Sequence, residues 1–235
     1  MMKRIFVPTV SGSGWQRLLG KPNLHWKRGY SAMSTAACWE ASNPRLPAEI
    51  VALLECISDS ALANLSLLAA FPEWEVELPG GERASQTDVL ALCRNDDGLV
   101  VIGVEAKVNE PFGPTLGEKR ADASTGQSER IAFLERELGC ATPMADSIRY
   151  QLLHRTVSAL LTARAFHASA AIMLIQSFSP VSRWREDFDV FVSAVGGEPL
   201  STDLFELASP SGPRLLAGWC KGDQRFLDTE LPSAL

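Results

Sequence analysis

Two apolar stretches joined by a tight turn constrain this chain more than any other feature. Residues 87–94 and 99–108 flank Asn95-Asp96-Asp97-Gly98, a strong hairpin signal. The second stretch alternates. Val100, Ile102, Val104, Ala106 and Val108 take one face, and Leu99, Val101, Gly103, Glu105 and Lys107 the other. Glu105 and Lys107 therefore share a face near the strand's end, about 6–7 Å apart. An acid and a base are out of place on so apolar a strand, because burying either charge without a partner is costly. On the first strand Gln86, Asp88, Leu90 and Leu92 share a face. Residue numbers paired across the hairpin should sum to roughly 194. That sets Asp88 opposite residues near 106 and within reach of Glu105.

The pattern around the hairpin implies a layered α/β protein. Residues 74–78 alternate and stop at Pro79-Gly80-Gly81, a strand and a turn. Upstream, residues 31–41 and 46–57 read as helices. Residues 61–71, almost wholly apolar, read as a third, buried helix. Residues 1–30 are expected to be irregular and to wrap the core. Downstream come a long loop over 109–126, helices over 127–138 and 148–166, and a continuous apolar strand over 170–178. A helix over 188–195 and late strands over 204–208 and 215–220 follow. Three meandering strands followed by a helical crossover predict a central mixed β-sheet flanked by helices. No Pro/Gly/Ser linker divides the chain. The expectation is one domain over 1–235, with N-terminal helical decoration and a core of about 46–180.

Composition narrows the function. The chain is 46% hydrophobic and 21% charged, with a net charge of -6. That balance argues against broad, sequence-blind binding to polyphosphate and leaves room for a local basic groove. Five scattered cysteines without a CxxC pair imply reduced thiols and neither a disulfide framework nor a zinc site. The apolar run before Pro8 is too short for a signal peptide. No stretch approaches the ~18 apolar residues of a membrane span. A cytoplasmic protein with no membrane partner is expected.

Two carboxylates and a lysine at one spot suit a hard cation, Mg²⁺ or Mn²⁺, able to polarise a phosphodiester and activate water. A structural ion pair at a sheet edge is the plainer alternative. Thr87-Asp88, followed after a hairpin by Val104-Glu105-Ala106-Lys107, resembles the PD-(D/E)xK nuclease superfamily, although Thr87 stands where that motif often has Pro. The resemblance implies a restriction-endonuclease-like core, with the metal on Asp88, Glu105 and the Ala106 carbonyl, and Lys107 as catalytic lysine. Over residues 25–220 the chain more closely resembles a family of bacterial proteins placed in that superfamily. The segments that carry this are His25-Trp26-Lys27, Cys38-Trp39-Glu40, Ser85-Gln86-Thr87-Asp88, Glu110-Pro111-Phe112-Gly113 and Arg149-Tyr150-Gln151-Leu152-Leu153-His154-Arg155.

The same resemblance implies an acid on the first core helix, for which Glu40 is chosen over Glu49 and Glu55. It also implies a Gln on the helix after the third strand, which Gln151 matches. By spacing, Gln151, His154, Arg155 and Ser158 share one helix face. Gln86, Gln151, His154 and Arg155 are the expected substrate contacts, although a lone histidine is more often a hydrogen-bonding residue. Lys119, Arg120 and Arg130, interleaved with Glu118, Asp122 and Glu129, read as an exposed mixed-charge surface. Gly80-Gly81 resembles no phosphate-binding loop motif, because no GK[ST] follows. The leading expectation is a metal-dependent nuclease acting on DNA or RNA. A non-catalytic metal- or partner-binding module and a metallohydrolase for a small phosphorylated compound are the alternatives.

Overall fold

The computed structural model describes residues 13–232, apart from Glu82 and Ser211. Its strands are β1 (Ser66–Val76), β2 (Ser85–Asn95), β3 (Gly98–Lys107), β4 (Ala170–Ser177), β5 (Glu198–Pro199), β6 (Leu204–Leu207) and β7 (Arg214–Lys221). They form one seven-stranded sheet in the order β1-β2-β3-β4-β7-β6-β5. The first three strands meander antiparallel. β4 lies parallel to β3 and β7 parallel to β4, while β6 and β5 close the far edge antiparallel. The helices are α1 (Pro22–His25), α2 (Ser31–Ser42), α3 (Ala48–Glu55), α4 (Leu116–Ala121), α5 (Thr125–Glu137), α6 (Tyr150–Ala165) and α7 (Arg185–Ala194).

Alternation along the strands splits the core into two layers. Val104, Ile172 and Leu174 face Trp39, Ile50 and Leu54 of α2 and α3. Val101, Met173 and Ile175 face Leu134, Leu153, Val157 and Phe188 of α5, α6 and α7. The protein is thus α/β, a mixed sheet flanked by helices, as the pattern predicts. The five cysteines are free thiols. No helix among the described residues is long and apolar enough to cross a membrane.

Several expectations need correction. Residues 61–71 are not a helix: a turn leads into β1, which runs unbroken from Ser66 to Val76. A continuous apolar run cannot separate buried helix from strand by period, and here the sheet decided. Pro72 is tolerated because β1 is an edge strand. The loop expected over 109–126 contains α4, started by a capping box between Thr115 and Glu118, and α5 begins before residue 127. Within the irregular N-terminal stretch, residues 13–18 form a 3-10 turn and Pro22–His25 a short helix; residues 1–12 lie outside those described. The late strands expected over 204–208 and 215–220 join the same sheet, with β7 beside β4 well inside it.

Parallel pairing of β3 with β4 requires a crossover, which α4, α5 and α6 supply. α6 sits unusually close to β3. A Cβ added at Gly103 would stand 3.2 Å from the Ala159 Cβ, tighter than ordinary contact. Two small residues thus let the helix axis approach the strand, and one and two turns back along the same face Arg155 and Gln151 are brought down onto β3.

Candidate functional site

The hairpin splays where the chemistry sits. Ladder pairing of β2 with β3 runs from Asn95↔Gly98 to Val89↔Val104 and stops there. The pair numbers sum to 193, one off the sequence expectation, which still brings Asp88 to Glu105. Beyond Val89 the Asp88 carboxylate replaces the ladder: its Oδ2 accepts the Ala106 N–H at 2.7 Å. Side-chain alternation breaks at this point. Ser85 and Thr87, which simple alternation sends to the other face, turn under α6. The Ser85 hydroxyl accepts from Arg155 Nη1 at 2.9 Å, and the Thr87 methyl lies beside Gly103. The partner strand is irregular at the same level. Glu73, between Pro72 and Trp74, takes a φ of 53°, the left-handed region that costs a non-glycine residue about 1 kcal/mol or more.

Glu105 is held from three sides. Its Oε1 accepts from Lys107 Nζ at 2.5 Å and from Gln151 Nε2 at 2.8 Å, and its Oε2 accepts from Arg155 Nε at 2.5 Å. The Glu105 and Lys107 side chains are 4% and 6% exposed, so little solvent screens this pair. The Lys107 ammonium also lies over the Phe112 ring, 5.1 Å from its centroid. Expected members therefore meet here: Asp88, Glu105, Ala106, Lys107, Gln151 and Arg155, with Gln86 on the wall of the same cleft. The cleft encloses about 1030 Å³. It is lined by six carboxylates, from Glu73, Glu75, Glu77, Asp88, Glu105 and Glu110, against four Lys and Arg cations, from Lys21, Arg83, Lys107 and Arg155. With all six ionised the cleft is net negative, and a polyanion then needs a further cation to enter.

Other expectations fail. Glu40 does not line the cleft; its carboxylate accepts from Trp15 Nε1 at 3.0 Å. Glu49 is bound by the Cys38 thiol and the Gln176 amide on the opposite face of the sheet, and Glu55 is exposed. The third carboxylate beside the pair is Glu73, on a strand rather than a helix. The run Glu73, Glu75, Glu77, alternating with Trp74 and Val76, was the sequence signal for an acidic strand face. His154 also stands outside the main cleft. Its Nδ1 lies 2.8 Å from the Ser85 hydroxyl, and its ring packs at a tilt against Tyr150 in a neighbouring cavity. Arg155 points at Glu105 and Ser85 rather than into open space. Arg130 is buried, donating to the carbonyls of Leu78, Pro79, Gly81 and Arg83, and Arg120 pairs with Glu135 and Asp146, so neither is a loose surface charge.

Crowding sets the proton affinities. Burial raises Glu105, but the nearby Lys107 and Arg155 cations outweigh it and hold the carboxyl down at about 2. Burial and the Glu105 charge push Asp88 up to about 7. Burial, with Asp88 and Glu105 adding to it, raises Glu73 well above the usual carboxylate range. Between pH ~4 and about 7 the folded protein therefore keeps an Asp88 proton that the unfolded chain has released, so metal-free stability falls as pH rises across that window. Asp88→Asn keeps an acceptor for the Ala106 N–H and removes the charge. In chelator the variant should melt above the parent at pH 8, with the gap closing by pH 5. A variant less stable than the parent at pH 8 would show that Asp88 is not under electrostatic stress.

The chain is therefore an α/β protein with a buried acid–cation cluster at the open end of a β-hairpin, under one helix. It belongs to the family described as a domain of unknown function, DUF6946, whose model matches residues 8–224. No curated protein and no solved structure matches the chain.

Proposed function

We propose that the protein is a metal-dependent phosphodiesterase acting on nucleic acid, built on a restriction-endonuclease-like core. One observation carries this reading. Asp88 and Glu105-Ala106-Lys107 meet where β2 and β3 part, inside a cleft, with Gln151 of the crossover helix bonded to Glu105. The succession of three antiparallel strands, a helical crossover and a parallel strand supports it.

The donor set fits a hard divalent cation. The Asp88 Oδ1 and the Glu73 carboxylate have no hydrogen-bond partner among the described residues, and both offer oxygen. Asp88, Glu105 and the Ala106 carbonyl would hold Mg²⁺ or Mn²⁺, with Glu73 alongside. The array is not drawn together in advance: among the described residues no three acids, histidines or cysteines form a ligand cluster. Lys107 has to leave Oε1 for Glu105 to bind a cation. A bound cation would polarise the scissile phosphodiester and acidify a water. Lys107, once released, would orient that water and offset charge on phosphorus. Gln151 keeps Glu105 oriented, and Arg155 fixes the far carboxylate oxygen.

A second reading, a non-catalytic module on the same fold, is favoured by the engagement of both Glu105 oxygens by Lys107, Gln151 and Arg155. Incubation of single- and double-stranded DNA and RNA with Mg²⁺ or Mn²⁺ separates the two. Cleavage by the parent, lost in Asp88→Asn, is expected. A parent protein that cuts none of these substrates but still binds one would make the module reading the correct one.

A further inference from the structure

A second cavity of about 340 Å³ adjoins the cleft, and Arg83 and Ala84 line both. It lies between the segment that carries Gly80, Gly81, Arg83 and Ser85, Lys119 of α4, the start of α5 and the first turns of α6. Its wall is rigid. Arg130 ties four backbone carbonyls of the 78–83 segment together, and a Cβ at Gly80 would collide with the Gly126 carbonyl at 2.0 Å. Among the described residues no Asp or Glu lines it.

What it does contain is hydrogen-bond donors without acceptors. Arg155 can only donate to the Ser85 hydroxyl, and that hydroxyl has no other partner among the described residues than His154 Nδ1. The arrangement that satisfies all three groups has Ser85 donating to Nδ1, which puts the proton of a neutral imidazole on Nε2. Burial keeps His154 neutral, well below its ordinary proton affinity, and the nearby Arg155, Arg130 and Lys119 charges press the same way. His154 Nε2–H has no partner among the described residues. Gln127 Nε2 is buried with none either. Lys119 makes no ion pair there; its ammonium sits over the Tyr150 ring, 5.3 Å from the centroid, and that ring packs on His154 at 4.9 Å. A half-open pocket offering two neutral donors and one ammonium, with no lining carboxylate among the described residues, selects an anion that accepts several hydrogen bonds at once.

We propose that this cavity is a phosphate subsite, holding the phosphate group of a nucleic-acid strand next to the one that enters the cleft. The identity of the strand rests on the function proposed above; the phosphate contact does not. Lys119 supplies the charge, Gln127 and His154 supply neutral donors, and Arg83 bridges the two cavities. The alternating sign of the sites follows: the cleft is acidic and takes its anion through a cation, whereas the subsite takes a phosphate directly.

The test is calorimetric titration of the protein with inorganic phosphate in chelator, at fixed ionic strength. Saturable binding is expected, weakened about tenfold by Lys119→Ala and by Gln127→Leu, since each removes a donor to a charged group. Arg45→Ala, at an exposed cation outside both cavities, should leave it unchanged. Short single strands with and without a 5′-phosphate then separate the source. Weakening by Lys119→Ala in both strands identifies a backbone phosphate; weakening confined to the phosphorylated strand identifies a terminal one. No saturable binding at millimolar phosphate, or binding that survives both substitutions, overturns the subsite. Phosphate binding lost in Lys119→Ala by a protein that cuts no nucleic acid would keep the subsite and sink only the nuclease reading.

Discussion

Glu105→Ala should lower stability by about 3–5 kcal/mol and shift the melting temperature down by about 10 °C. The reason is what the substitution leaves behind. Lys107 and Arg155 are 6% and 11% exposed at the side chain, and both meet Glu105 at 2.5 Å. Without the carboxylate, two largely buried cations stay against Phe112 and Ser85 with no carboxylate in hydrogen-bond contact. Gln151 loses its acceptor as well. The double variant Glu105→Ala, Lys107→Met should recover part of the loss, because it removes one orphaned charge along with its partner. The pH dependence has a definite sign. A folded carboxyl near 2 stabilises the protein above the unfolded value of ~4.3, and this contribution disappears as pH falls toward 2. The difference between parent and variant should therefore be full at pH 7 and narrow in acid. Denaturant unfolding at pH 7 and pH 3 measures it. A loss below about 1 kcal/mol at pH 7 would mean that water reaches the cluster and screens it.

Lys107→Met should reduce cleavage by about a thousandfold while strengthening Mn²⁺ binding. These opposite directions are what distinguish a catalytic lysine from a structural one. The ammonium donates to Glu105 Oε1, so it competes with any cation for that oxygen. Methionine fills similar space beside Phe112 and cannot compete. Glu105 remains held by Gln151 and Arg155, so the fold should survive with a smaller stability loss than in Glu105→Ala. Titration calorimetry with Mn²⁺, alongside a cleavage assay, reads both effects. Weaker Mn²⁺ binding in the variant would mean that Lys107 does not guard the metal position. Cleavage at the parent rate would remove Lys107 from the mechanism.

Two corrections at the site have separate causes. Alternation along residues 86–92 treats a strand as a regular ribbon, and that holds only while the ladder lasts. Where β2 leaves β3 at Val89, the Asp88 side chain takes over a backbone hydrogen bond, and Ser85 and Thr87 are free to turn under α6. Glu73 was overlooked because residues 61–71 read as a helix, which left Glu73 in a gap rather than on an acidic edge strand. Its approach to Asp88 then depends on a left-handed backbone step that no propensity specifies.

The hairpin, its turn and the placing of Glu105 and Lys107 on one face were fixed by local chemistry: a two-residue period, a turn tetrapeptide and the cost of burying lone charges. The facing of Gln151 and Arg155 also followed from residues alone, because the i, i+4 spacing and the apolar stripe of Leu152, Leu153 and Val157 set the rotation of α6. The tertiary structure decided the rest. It made residues 66–76 a strand, because an apolar segment takes the form of the partner it pairs with. It gave Glu40 and Glu49 to Trp15 and to Cys38 with Gln176, and brought Glu73 to Asp88 in their place. It turned Arg155 onto Glu105 and His154 into a separate cavity, since a buried charge settles on whichever opposite charge packing brings within reach, and that choice involves residues 50 positions apart in the chain.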